Sequence, residues 1–192
     1  MNDGNTDQPP YVAGMSSGFD TARLQVRNWR GSLDDGLRQQ QLCEEFLPVL
    51  TADVLQHLPP PLQLSGQPDE IAKWVQDRAA ESNVFTIRTN DRNALVGLLI
   101  LAEFPADDHG PSSLHLGFLF AQNAWGQGYA SELVEGLVQW ADNRGTPTQL
   151  LGGVEKSNPA SARVLQKCGF EKVADMSGEE TDMFGRLIKA EK

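Results

Sequence analysis

Apolar and polar residues alternate along Leu24-Gln25-Val26-Arg27-Asn28-Trp29, the two-residue period of a half-buried strand. The period then lengthens. Ser32 followed by Asp35 has the form of a helix N-cap pair and predicts a helix to about Phe46, stopped by Pro48. Thr51 caps a short turn through Leu58, and Pro59-Pro60-Pro61 ends regular structure there. Pro68-Asp69-Glu70 opens a second helix, with proline at the first position and acids in the first turn. Its apolar stripe is Ile71, Trp74, Val75 and Ala79. Strands follow over Val84–Arg88 and Leu95–Ala102, joined by a turn at Asn90–Asn93. The second of them is apolar on both faces and therefore central in its sheet. Asp107–Ser113 reads as a polar loop and Leu114–Phe120 as a third strand of this group. Ala130, Leu133, Val134, Leu137, Val138 and Ala141 form one stripe of a helix over Gly128 to about Asn143. A strand over Leu150–Val154 leads to a helix opened at Asn158-Pro159 and closed by Gly169. Val173-Ala174 and Met183–Ile188 read as closing strands.

This order, meander strands followed by a β-α-β crossover, predicts a mixed α/β (α+β) sheet in a single domain. Residues 1–18 are rich in Gly, Asn, Asp, Ser and Pro without periodicity, and are expected to be a disordered tail ahead of a domain over 19–192. No apolar run approaches the ~20 residues of a membrane helix. The N-terminus lacks the pattern of a signal peptide, so a cytoplasmic location with no membrane partner is expected. The two cysteines, Cys43 and Cys168, have no metal-ligand spacing, and no metal is expected. The net charge of −10 and the absence of a Lys/Arg run argue against nucleic acid. The same charge is compatible with a cationic partner such as an amine, and also with simple solubility.

Two segments carry candidate chemistry. In Trp125-Gly126-Gln127-Gly128-Tyr129-Ala130, glycines stand between a strand end and a helix start. They permit tight turns and leave backbone amides uncovered at the positive end of a helix dipole, a place suited to phosphate. The segment lacks the Gly-Lys-Ser/Thr end of a nucleotide P-loop. In Asn158-Pro159-Ala160-Ser161-Ala162-Arg163-Val164-Leu165-Gln166-Lys167-Cys168-Gly169-Phe170, Asn158 is first of all a helix cap. Ser161 shares the inner stripe with Val164, Leu165 and Cys168, so its hydroxyl needs a partner, either backbone or ligand.

Together these segments resemble the GNAT superfamily of acetyl-CoA-dependent N-acetyltransferases. The leading Trp125, together with Asn158-x-x-Ser161 and Lys167-Cys168-Gly169-Phe170, is similar to its RimJ/RimL branch, and Thr21-Ala22-Arg23-Leu24-Gln25-Val26-Arg27 looks like that branch's opening strand. The resemblance runs from about Phe19 to about Ile188. It implies a mostly antiparallel sheet splayed at its middle and flanked by helices, in a monomer or homodimer. It implies a strand, bulged before the loop, whose backbone at Phe118, Leu119 and Phe120 meets the pantetheine arm. The amides from Trp125 to Ala130 would cradle the pyrophosphate, and Asn158 would bond the pantetheine region. Acetyl would pass directly from acetyl-CoA to a small-molecule or protein N-terminal amine. A backbone N–H near Phe120 would hold the oxyanion, and Ser161 would protonate the leaving thiolate. At the start of that strand, where the family often has glutamate, this chain has His115, whose imidazole suits a base near neutral pH. Its alternative is a structural histidine. Glu103 and His109 are poorer bases, and no chemistry is expected of His57 or Cys168. A non-catalytic acyl-CoA-binding or interaction module on the same fold is the alternative to an enzyme.

Overall fold

The computed structural model describes residues 18–58, 63–64, 68–105 (backbone only at 68 and 69) and 111–189. Residues 1–17 of the expected tail, the proline run 59–61, His109 and most of the Asp107–Ser113 loop lie outside them.

Among the described residues, eight strands form one sheet in the order β1-β2-β3-β4-β5-β6-β8-β7. Four of them are the meander: β1 (Phe19–Asp20), β2 (Leu24–Asn28), β3 (Asn83–Thr89) and β4 (Leu95–Phe104), each antiparallel to the next. The centre is β5 (Ser112–Phe120), antiparallel to β4 and parallel to β6 (Thr148–Glu155). The far edge is β8 (Thr181–Ile188) with β7 (Glu171–Lys172), again antiparallel. This is the mixed, mostly antiparallel sheet that the sequence predicts.

Helices cover both faces. On one side lie α1 (Arg30–Leu33), α2 (Gly36–Phe46), α3 (Ala52–Leu55) and α4 (Pro68–Glu81). Their Trp29-flanked core joins Phe46, Ile71 and Trp74 to Leu98 and Leu119 of the sheet. On the other side lie α5 (Tyr129–Asp142) and α6 (Pro159–Lys167), whose Leu133, Leu137 and Leu165 pack on Leu99, Leu114, Leu116 and Phe120. Alternate residues of β4 and β5 thus feed opposite cores, as the strand period requires.

Several boundaries differ from the sequence expectation. The helix foreseen from Ser32 divides: α1 ends at Leu33, and Asp35 in extended conformation caps α2 by accepting from the Leu37 N–H. The short-range bond to Asp35 makes it, rather than Ser32, the effective cap. Thr51 stands at the N-cap of α3 but makes no side-chain cap bond. Val173-Ala174 is not a strand; the edge strand is Glu171–Lys172, and Ala174–Met176 forms a 3-10 turn instead. The strand before the glycine loop also carries no bulge. β5 pairs with β4 in unbroken register from Ser113↔Phe104 to Phe120↔Gly97. The irregularity lies one strand over, between Ile87 and Arg88 of β3, where Val96 of β4 has no opposite residue.

Gly97 sits where β4 passes closest to β5, and a methyl group built there would run into the Leu119 carbonyl oxygen. Gly97→Ala is therefore expected to lower the unfolding free energy by about 1–3 kcal/mol, the usual cost of an overfilled site. Urea denaturation followed by circular dichroism measures it; an unchanged midpoint would refute the tight approach.

Candidate active site

The site begins where a parallel pair gives way. β5 and β6 are in register only from Ser112↔Thr148 to His115↔Leu151. Beyond that point β5 stays with β4, while β6 follows β8 to Glu155↔Thr181. The two strands diverge, and a cavity of about 770 Å³ opens between them and passes through the sheet. Its walls include Leu116, Gly117 and Phe118 on one side and Gly152, Gly153 and Val154 on the other.

Backbone direction inside the gap follows from pairing. The Ala121 N–H donates to the Val96 carbonyl at 2.9 Å, so Ala121 is bonded to β4. In an antiparallel ladder the bonded positions alternate, which turns the backbone groups of Phe118 and Phe120 away from β4 and into the gap. Trp125 agrees: its indole Nε1 donates to the Phe120 carbonyl at 2.7 Å. The Phe118 N–H and carbonyl and the Phe120 N–H thus face the opening. Leu119 lines the cavity as well, but its backbone is turned toward β4.

At the α5 end of the gap, a 3-10 turn (Gln122–Ala124) leads into the glycine loop. Gly126 and Gly128 have φ of 72° and 80°, a left-handed conformation natural to glycine. Gly128 is the N-cap of α5 and makes no side-chain cap bond. The first α5 amides therefore have no cap from Gly128, and they line the cavity through Gly128, Tyr129, Ala130 and Ser131. Gln127 faces elsewhere: its side chain donates to the Asn123 carbonyl at 2.7 Å and its own carbonyl accepts from Arg23 at 3.0 Å. The exposed indole ring of Trp125 lies over the end of β5. An anionic, extended ligand fits such an arrangement, its charged part at the amides and its arm along the gap.

The N-terminus of α6 forms the opposite wall. Asn158 Oδ1 accepts from the Ser161 N–H at 3.1 Å, so the cap expected of Asn158 forms, and its Nδ2 remains available as a donor. Ser161 is half-buried and lines the cavity with Val164 and Leu165. Cys168, lower on the same stripe, is buried, and its thiol is pushed up in pKa chiefly by that burial.

The other end of the cavity opens on the α1–α4 face. His115 projects there from β5, edge-on to Phe104 at 4.8 Å between ring centroids. Burial lowers its pKa below the 6.5 of a free imidazole, which keeps the ring neutral near pH 7. Glu103, by contrast, is buried on the opposite side of β4 and bound by Arg144 at 2.8 Å. No chemistry was expected of His57, yet the turn after α3 brings it to this opening. Its Nδ1 lies 3.3 Å from Oε2 of Glu155, the last residue of β6, and Ser157 Oγ donates to the same oxygen at 3.2 Å. Asp53 of α3, held by Gln122 at 2.7 Å, completes an acidic rim. No local pattern marks a histidine whose partner is 98 positions away.

A family model described as an acetyltransferase (GNAT) domain matches residues 23–171. No curated protein matches the sequence. Solved structures match over nearly their whole length. A RimL ribosomal L7/L12 α-N-protein acetyltransferase in complex with coenzyme A is 20% identical, covering 89% of this chain and 97% of that one, with a TM-score of 0.68. An acetyl transferase from Salmonella typhimurium, described as modifying the N-terminal serine of ribosomal protein L7/L12, is 20% identical, covering 88% and 97%, with a TM-score of 0.65. A spermidine N-acetyltransferase mutant from Vibrio cholerae is 13% identical, covering 85% and 93%, with a TM-score of 0.61. At these identities the likeness is one of fold.

Proposed function

Since the chain belongs to the acetyltransferase (GNAT) family, we propose that it moves acetyl from acetyl-CoA to a primary amine by direct attack within a ternary complex. The observation that carries this reading is the cavity between the diverging β5 and β6, with a left-handed glycine loop at its end. The acceptors of the structural neighbours, a protein N-terminus and spermidine, are both amines, which supports the acceptor class.

Acetyl-CoA supplies the activated thioester. The residues of this chain do the rest. Amides from Gly126 to Ala130 bind the pyrophosphate, aided by the α5 dipole; the Trp125 N–H expected among them is already donated to the Gln122 carbonyl at 3.1 Å. The Phe120 N–H and the Phe118 carbonyl hold the pantetheine arm as a neighbouring strand would, and Leu119 keeps that backbone in line through β4. Asn158 Nδ2 donates to the same arm. The Phe118 N–H, further from the glycine loop and nearer His115, is the fixed donor for the oxyanion. Ser161 gives its hydroxyl proton to the departing thiolate. The amine enters from the α1–α4 face and loses its proton to His115.

An assay of thiol release with acetyl-CoA and a panel of amines, run beside calorimetric titration of CoA, tests the assignment. Turnover on at least one primary amine is the expected result. CoA binding without turnover on any amine would instead make the chain an acyl-CoA-binding module, and no binding would end the assignment.

His115 carries its own test. The neutral ring is the active form, so kcat/KM should fall as pH drops through its pKa, and burial sets that limb below the ordinary histidine range. His115→Gln is expected to remove the limb and slow the reaction near pH 7. The loss should shrink at high pH, where the amine deprotonates unaided. An unchanged limb in a folded variant would take the base role from His115.

A further inference from the structure

Around the glycine loop lies a set of contacts that the mechanism above does not use. Glu132, in the first turn of α5, receives the Arg23 Nε at 2.6 Å, the Arg23 backbone N–H at 2.7 Å and the Thr21 hydroxyl at 2.6 Å. Asn90 fixes the same corner of the β1–β2 connection by donating to the Thr21 and Ala22 carbonyls at 3.1 and 3.0 Å. The guanidinium then reaches beyond Glu132. Nη1 donates to the Gln127 carbonyl at 3.0 Å, and the group lies 4.6 Å from the centre of the Tyr129 ring. Nη2 comes within 3.6 Å of where a Gly128 side chain would begin.

Resting on the acetyl-CoA reading, we propose that Arg23, anchored by Glu132 and Thr21, is the positioning residue that sets the pyrophosphate loop. Gln127 lies between the two left-handed glycines, so its carbonyl fixes how the whole turn is rotated. A carbonyl held outward by Arg23 turns the neighbouring peptide N–H groups inward, toward the ligand phosphates. The fork geometry matters, because one planar group spans a carboxylate, a carbonyl and a ring at once, which a lysine ammonium does not. Glu132 also needs this arrangement. An acid in the first turn of α5 would otherwise stand as an unmatched anion where phosphate is to bind. Burial alone would raise the Glu132 pKa, but the hydrogen bonds from Thr21 and Arg23, with the Arg23 charge, hold it below the usual glutamate value. The carboxylate is therefore ionised and committed to Arg23.

The test compares two acetyl donors, acetyl-CoA and S-acetylpantetheine, which lacks the pyrophosphate. Arg23→Ala should raise KM for acetyl-CoA and weaken CoA binding in calorimetry by about tenfold or more, the scale of a lost charge-assisted hydrogen bond. Its kcat/KM with S-acetylpantetheine should stay within about twofold of the parent, and KM for the amine should not move. Arg23→Lys keeps the charge without the fork and should recover little. Glu132→Gln, which preserves shape and packing, should show the same donor-specific loss in smaller measure if Arg23→Ala folds poorly. Equal losses with both donors would reduce Arg23 to a structural contact and overturn the proposal. Full recovery by lysine would overturn it in favour of charge alone. A parent protein that binds no CoA fails the acetyl-CoA reading itself, and the positioning role falls with it.

Discussion

Gly128→Glu is expected to abolish acetyl-CoA binding in a protein that still folds. Gly128 has φ of 80°, and a side chain in that region costs roughly 1–2 kcal/mol of backbone strain. Space is no obstacle, since the first side-chain atom would meet only Arg23 Nη2 at 3.6 Å. The decisive effect is charge. A carboxylate would occupy the end of the α5 dipole that the ligand phosphates need, and it would draw Arg23 away from the Gln127 carbonyl. For the parent, CoA at a hundredfold excess over its dissociation constant adds about 2.7 kcal/mol of stability. In a domain of this size that is roughly a 5–10 °C rise in Tm. The variant should show no rise at any attainable concentration. Gly128→Ala carries the strain without the charge and should retain part of the rise. A full thermal shift in Gly128→Glu would mean that the phosphates bind elsewhere.

Ser161→Ala should cost more in turnover than in binding. Its backbone N–H, not its hydroxyl, receives the Asn158 cap, so the substitution leaves the start of α6 intact. The hydroxyl is free to face the cavity, and a positioned proton donor is worth roughly 10²-fold in rate. The expected pattern is a kcat lowered by about that factor with the CoA dissociation constant little changed. Parallel losses in kcat and binding would make Ser161 a cofactor-positioning group rather than an acid.

Local signals account for what could be read before the structure. The stripe of α5, the glycines before it and the cap-to-glycine form of α6 are encoded within a few residues, and the residues they mark line one end of the cavity. Hydrophobicity on both faces identified β4 as central. Boundaries that depend on competition between neighbours were harder. Asp35 outcompetes Ser32 as a cap because it reaches the Leu37 N–H directly, and the edge strand falls at Glu171–Lys172 because that is where the chain pairs with Gly185 and Phe184. The bulge expected before the glycine loop lies instead on β4 at Val96. His57 was passed over for a different reason. Its partner is Glu155, and only the folded sheet brings the turn after α3 beside the end of β6.

The divergence of β5 and β6 has a consequence for how the protein can change. The seam is also a boundary in chain order. Among the described residues, those up to Phe120 build β1–β5 and α1–α4, and those after it build the glycine loop, α5, β6, α6, β7 and β8. The two stretches meet at four residue pairs of the parallel seam, from Ser112↔Thr148 to His115↔Leu151, and through side-chain ties such as Arg23 to Glu132 and Arg144 to Glu103. Helices α1–α4 meet the second stretch at the turn before the glycine loop, where Gln122 donates to Asp53 of α3 at 2.7 Å. A change of sequence in α3 is therefore felt first at the turn that enters the glycine loop.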